Sequence, residues 1–316
     1  MRQQTCIVVT GPFSDEDKER IQRAAPTANL RFVGRPSDVS DGLADVEAIA
    51  GSVKAADLAR APHLKWVHSW AAGADNDLFP EMLESPVVLT SSTGNGAIPL
   101  AEHSMLLMLM LNRDVPCWMR AQANRTWERF THPELNGLTV GIFGLGNSGA
   151  DLALKAQAFH MRVLGMRRNT QRLVAGVDRL YAFDEFHTFL AESDFVVVTA
   201  PSTPQTLGVF DEQAFRAMKP SAYFICISRG GIAKDDALLR ALREGWIAGA
   251  GLDAHGVEPL PPESPFWSLP NVIITPHNGA TTPGTAQRSV DIFIDNLQRY
   301  ISGQPLRNVV DKHAGY

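Results

Sequence analysis

Thr139-Val140-Gly141-Ile142-Phe143-Gly144-Leu145-Gly146-Asn147-Ser148-Gly149 joins an apolar run to the pattern G-x-G-x-x-G. Alone the pattern is weak, because glycine is common. Here it follows a strand-like run directly and opens a helix that reads on to about His160, the setting in which it binds a dinucleotide. The first glycine permits the tight turn, the second lets the backbone approach a pyrophosphate, and the third lets helix and strand pack closely. The helix N-terminus offers unsatisfied N–H groups and the positive end of a dipole. Gly144, Leu145, Gly146, Asn147, Ser148 and Gly149 are therefore read as a cofactor-binding turn.

The next strand, Arg162 to Met166, runs into Arg167-Arg168-Asn169-Thr170. Arg167 lies eighteen positions after Gly149, where an acid would hydrogen-bond the ribose 2′-hydroxyl of NAD. Two guanidiniums there suit a 2′-phosphate, because arginine forms planar charge-assisted contacts with phosphate oxygens. Arg167 and Arg168 thus point to NADP, with NAD as the alternative cofactor.

Further strands follow at Phe195–Val198, Tyr223–Ile227, Ile247–Leu252 and Val272–Ile274, nearly all apolar. Such runs are buried on both faces, as in parallel sheets. Upstream, Ile7–Val9, Leu30–Val33, Ala44–Ile49, Leu64–His68 and Val87–Thr90 alternate with helical pieces, which predicts a second parallel sheet with helices on both faces. Ser14 before Asp15-Glu16-Asp17 reads as a helix N-cap. Pro99 reads as the start of a helix over Leu100–Leu111, followed by a looser polar segment with Trp118 and Trp127. The helix over about Gly284–Ile301 comes after the second sheet is complete, so it is expected to return to the first domain. The fold class is thus α/β, with two parallel-sheet domains. Residues 1–102 and 285–316 are expected to form the substrate domain, and residues 103–284 the dinucleotide-binding domain.

The whole chain narrows the function classes. With 316 residues and 45% hydrophobic composition it can bury two cores. A formal net charge of -5 makes it a poor electrostatic partner for nucleic acid. Cys6, Cys117 and Cys226 form no CxxC or Cys/His cluster, which argues against a structural zinc or a disulfide framework and suits a reducing cytoplasm. The N-terminus lacks a signal-peptide shape, and the most apolar stretch, Met105–Leu111, is too short to span a bilayer.

Three chemically active residues each follow a buried strand of the second series: Arg229, Glu258 and His277. Ligands of open α/β sheets bind outside the carboxyl ends of the strands, so all three are expected at the edge that carries the glycine turn. Ketone reduction by hydride leaves an alkoxide that needs a proton donor, and histidine titrates in the right range. A carboxylate beside it holds the ring and favours the imidazolium. An arginine grips a substrate carboxylate and polarises the carbonyl.

Through Ala72-Gly73-Ala74-Asp75, Ala101-Glu102-His103, Gly144–Gly149, Pro201-Ser202-Thr203-Pro204-Gln205-Thr206, Ser228-Arg229-Gly230, Glu258-Pro259-Leu260-Pro261 and Thr275-Pro276-His277, the chain resembles the D-isomer-specific 2-hydroxyacid dehydrogenases over nearly its whole length. The resemblance implies two Rossmann-like domains with an intervening cleft, usually assembled as a homodimer. It implies His277 as acid/base, Glu258 as its partner, Arg229 as the substrate arginine, and the amides around Gly73 and Ala74 as binders of the substrate carboxylate. Pro201, Thr206, Ile227, Ser228, Asp253 and His277 would join the glycine turn around the cofactor. Arg167, where the family often has aspartate, points to the NADP-preferring glyoxylate/hydroxypyruvate reductases. His255 and Gly256 stand where apolar or aromatic residues are more usual. The chain carries no long insertion of the formate dehydrogenase kind and no C-terminal regulatory domain of the phosphoglycerate dehydrogenase kind. The competing readings are an NAD-dependent dehydrogenase of another D-2-hydroxy acid and a non-catalytic, corepressor-like dinucleotide sensor.

Overall fold

The computed structural model describes residues 4–40 and 42–315; Met1–Gln3, within the stretch read for a signal peptide, lie outside them. The chain divides into two compact units, residues 1–96 with 282–316, and residues 97–281. The helix Ala97–Asn112 falls wholly in the second unit, whereas a boundary at residue 102 would cut it. It packs there on the helix Asn147–Ala158.

In the first unit, β1 (Cys6–Thr10), β2 (Asn29–Val33), β3 (Val46–Ala50), β4 (Trp66–Ser69) and β5 (Val88–Ser91) form one sheet in the order β2-β1-β3-β4-β5. All its ladders are parallel. Ser14 caps the first helix by accepting from the Asp17 amide at 3.1 Å. The last helix, Pro283–Ser302, belongs to this unit, as its position after a completed sheet suggests. Val290, Phe293 and Leu297 pack from it onto Ile7, Val9, Ala48 and Trp66. His68 is fully buried between the hydroxyls of Thr90 and Ser92, and burial pushes its imidazole down to about 3, so it is neutral.

The second unit carries β6 (Thr139–Phe143), β7 (Arg162–Met166), β8 (Arg179–Tyr181), β9 (Phe195–Val198), β10 (Tyr223–Cys226), β11 (Gly249–Leu252) and β12 (Val272–Ile274). Their order is β12-β11-β10-β9-β6-β7-β8, again all parallel. Strand order reverses between β6 and β9, and the crevice at such a reversal is where doubly wound sheets bind ligands. Side chains alternate between faces. Phe195 and Val197 join the cluster under the helices at 97–112 and 147–158, while Val196 and Val198 join the cluster of Phe210, Phe215 and Phe224.

Register aligns the strand ends. Phe143 pairs with Val198, Val198 with Cys226, Cys226 with Leu252, and Leu252 with Ile274. The loops that begin at Gly144, Thr199, Ile227, Asp253 and Thr275 therefore leave the sheet along one row.

Two local expectations change. The helix read from Pro99 starts at Ala97; proline is tolerated in a first turn because its missing N–H has no partner to lose there. The polar segment read as loose holds a helix, Val115–Ala123, capped by the Asp114 side chain on the Cys117 amide at 3.3 Å.

Candidate active site

Gly144 leaves β6 with φ +102, a conformation that L side chains rarely adopt. A Cβ on it would stand 2.6 Å from the Ala200 amide nitrogen, so the loops after β6 and β9 touch there. A Cβ on Gly149 would stand 2.2 Å from the Gly144 carbonyl oxygen, the close helix–strand approach expected of the third glycine. Gly146 is different, because a Cβ there would meet nothing within 4 Å. It is the N-cap of the helix Asn147–Ala158, and no side chain caps that end. Open space thus faces an uncapped helix N-terminus at the strand-order reversal, the cradle a pyrophosphate requires. The Ser228 hydroxyl, two residues beyond β10, is buried without a hydrogen-bond partner among the described residues. Both features fit a bound dinucleotide.

Other residues expected around that cofactor have visible tasks. The Thr206 hydroxyl closes its own loop, donating to the Pro201 carbonyl at 2.7 Å and accepting from the Thr203 amide at 2.8 Å. Ile227 is buried beyond β10. Arg167 and Arg168 follow β7; Arg167 is half-buried and its amide donates to the Tyr181 carbonyl at 3.3 Å, while Arg168 is exposed. Gly73 and Ala74 lie in the first unit, on the loop after β4, where the Thr93 hydroxyl holds the neighbouring Ala72 carbonyl at 2.8 Å.

His277 and Glu258 meet. Nδ1 of His277 lies 2.7 Å from Oε2 of Glu258. Burial pushes the Glu258 carboxyl up, but the His255 amide, the hydrogen bond from His277 and the charge of His277 outweigh it and hold it below the usual range. The carboxylate is therefore an acceptor, Nδ1 carries a proton, and Nε2 is the nitrogen left to exchange one. His277 itself adopts φ +50. Its amide bonds back to the Thr275 carbonyl at 3.1 Å, so a three-residue turn across Pro276 presents it.

A network that the sequence reading missed fixes this turn. Asp253, fully buried, accepts from the Thr275 hydroxyl at 2.6 Å and from the amides of Asn278 at 3.1 Å and Gly279 at 3.0 Å. It thus holds the chain on both sides of His277. The Thr275 hydroxyl, donating to Asp253, accepts from Nε2 of His103 at 3.0 Å. His103 was legible only as part of Ala101-Glu102-His103; nothing in the sequence ties it to a residue 172 positions away. Arg229 begins the turn after β10 with Nη1 on the Ser228 carbonyl at 2.8 Å. Its neighbour Gly230 abuts the loop of Glu258, since a Cβ there would lie 1.9 Å from the carbonyl carbon of His255. Arg229, Glu258 and His277 thus sit on three adjoining loops.

The pair makes a pH prediction. Glu258→Gln takes away the carboxylate that accepts from Nδ1 of His277. If reduction of a keto acid draws its proton from this ring, Glu258→Gln should move the alkaline limb of the pH–rate profile to lower pH. An unmoved limb means that the pair does not act in the rate.

The chain is similar to known proteins over most of its length. Residues 105–279 match the profile described as "D-isomer specific 2-hydroxyacid dehydrogenase, NAD binding domain". A glyoxylate reductase of Korarchaeum cryptofilum is 32% identical over 92% of this chain and 88% of its own. A D-isomer specific 2-hydroxyacid dehydrogenase of Xanthobacter autotrophicus Py2, solved with NADPH and MES, superposes with a TM-score of 0.88 at 29% identity, over 99% of this chain and 100% of that one. An NADPH-dependent glyoxylate/hydroxypyruvate reductase of Sinorhizobium meliloti, solved with NADP and sulfate, gives 0.86 at 30% identity over the same shares.

Proposed function

We propose that this chain, which belongs to the D-isomer specific 2-hydroxyacid dehydrogenase family, reduces a small 2-keto acid of the glyoxylate or hydroxypyruvate type with NADPH, His277 giving the proton. Membership makes it an NAD(P)-dependent oxidoreductase that interconverts 2-keto and 2-hydroxy acids. The observation that supports the finer reading is the 2.7 Å His277–Glu258 pair on loops leaving adjacent strand ends.

In this mechanism the bound dinucleotide supplies the hydride. Gly144–Gly149 hold its pyrophosphate, Arg167 and Arg168 its 2′-phosphate, and Pro201, Thr206, Ile227, Ser228 and Asp253 flank it. The guanidinium of Arg229 grips the substrate carboxylate and polarises the carbonyl, and the amides of Gly73 and Ala74 bind carboxylate oxygen. As the carbonyl carbon becomes tetrahedral, Nε2 of His277 protonates the oxygen. Glu258 holds the Nδ1 proton and stabilises the charge on the ring before transfer. The substrate class follows from the chain's similarity to a glyoxylate reductase and to a glyoxylate/hydroxypyruvate reductase. NADPH oxidation against a panel of 2-keto acids tests this reading: glyoxylate and hydroxypyruvate should give the highest kcat/KM, and a larger acid in first place contradicts the assignment.

Arg229→Lys keeps the charge but loses the planar fork. It should raise KM for keto acids about tenfold or more, the scale of one charge-assisted hydrogen bond. Unchanged KM and kcat together would remove Arg229 from substrate binding.

Two further assignments belong to the same reading. Cys6, Cys117 and Cys226 are free, which suits a cytoplasmic enzyme, and among the described residues no helix is long and apolar enough to cross a membrane. A homodimer is supported by Leu106, Trp118, Met119 and Trp127, which are 48%, 40%, 59% and 94% exposed, since tryptophan and methionine are enriched in interfaces. Light scattering should give twice the 34.5 kDa chain mass; a monomer at working concentration counts against it.

A further inference from the structure

We infer that His255 is a positioning residue that locks the His277–Glu258 pair by touching both of its loops and the Arg229 turn at once. The inference rests on the reading of His277 as the proton donor.

Three contacts meet at this one residue. The His255 amide donates to Oε1 of Glu258 at 2.8 Å, while Oε2 of the same carboxylate faces His277 at 2.7 Å. One carboxylate is therefore clamped between a backbone N–H and the imidazole. Nε2 of the His255 ring lies 3.1 Å from the Thr275 carbonyl oxygen. A carbonyl can only accept, so Nε2 carries the proton. The Thr275 oxygen also accepts from the His277 amide and closes the turn that holds His277 at φ +50. The His255 ring thus pins the atom on which the conformation of His277 depends. The third contact is the close approach of Gly230 to the His255–Gly256 peptide, which seats the Arg229 turn against the same segment.

The environment holds the ring there. His255 is 9% exposed, between β11 and the turn after β12. Gly256 belongs to the arrangement, because a Cβ on it would stand 2.5 Å from Oδ2 of Asp235. A glycine at 256 leaves room for that carboxylate beside the loop. The pair His255-Gly256, unexplained in the sequence, is then one device: the histidine supplies the amide and ring contacts, and the glycine admits Asp235.

A side chain that acts through another should lose its effect when the other is gone. We expect His255→Phe, which keeps an aromatic ring but no donor, to lower kcat for keto-acid reduction about tenfold, because sub-ångström misplacement of a reacting group is felt at that scale. KM for NADPH should stay within twofold. His255→Gln, whose amide N–H reaches toward Thr275, should recover most of the loss. In a His277→Asn background His255→Phe should cost nothing further. The thermal melting of every variant is measured alongside, and His255→Met replaces the Phe variant if that one does not fold. An unchanged kcat in the apolar variants overturns the inference, as does the same tenfold loss in the His277→Asn background. If His277→Asn alone keeps full activity, the proton-donor reading fails and takes this inference with it. An unchanged kcat in His255→Phe beside an impaired His277→Asn overturns only the role of His255.

Discussion

Replacing His277 by Asn should lower kcat for 2-keto acid reduction by about 10²-fold or more, the usual scale of general acid–base catalysis, with cofactor affinity little changed. Asparagine keeps a polar side chain and tolerates the left-handed backbone that position 277 requires, φ +50. The turn across Pro276 and its anchorage to Asp253 are backbone features and the Thr275 hydroxyl, so they survive the change. What is lost is a titratable nitrogen at Nε2. The loss should therefore fall on kcat with fluorescence-measured NADPH binding preserved. A variant with near-normal kcat removes His277 from the mechanism, and a variant that has lost cofactor binding shows that the histidine holds the dinucleotide instead.

The preference for NADPH over NADH should be about ten- to a thousandfold in kcat/KM. Arg167 and Arg168 follow β7, whose last residue Met166 pairs with Phe143 beside the Gly144 turn. Once the pyrophosphate sits on that turn, the adenosine ribose lies beyond the end of β7. One charge-assisted hydrogen bond contributes about 1.5–3 kcal/mol, and a tenfold factor needs about 1.4 kcal/mol. Arg167 is half-buried and Arg168 exposed, so solvent screening draws the second contribution toward the low end. Arg167→Asp with Arg168→Ala should weaken NADPH far more than NADH, since a carboxylate repels the 2′-phosphate and accepts a ribose hydroxyl. Steady-state kcat/KM for both cofactors, at one fixed ionic strength, decides it. Equal values or a preference for NADH mean that the guanidiniums serve only as surface charge.

The sequence carries most of the second sheet because its strands are short and apolar; the inner ones are buried on both faces, and the edge strand Val272–Ile274 is half-buried. Phe195–Val198 and Val272–Ile274 match their predicted limits. β8 escapes such a reading: Arg179-Leu180-Tyr181 is three residues long, begins with an exposed arginine and pairs only with β7, at the edge of the sheet. The helix Val115–Ala123 escapes for a different reason. Its cap, Asp114, lies at φ 45, and within the helix Ala121 alone is buried, so the segment shows no apolar stripe to read. At the site, the residue types and their places after strands were readable. The register that levels those strand ends was not, because parallel pairing joins segments far apart in sequence. His255 shows the limit most plainly. Its ring and amide take partners on two loops, and neither the identity of the residue nor its spacing says which atoms it will face.

In the proposed reaction a small 2-keto acid takes hydride from NADPH and a proton from His277. The most direct measurement is the stoichiometry of one reaction: purified protein, NADPH and glyoxylate, with cofactor loss followed by absorbance and the acid products by chromatography. One 2-hydroxy acid should form per NADPH oxidised, at a rate that falls about 10²-fold or more in His277→Asn. NADPH that is bound but never consumed, with glyoxylate, hydroxypyruvate or any other 2-keto acid, would contradict it and leave a dinucleotide sensor in its place.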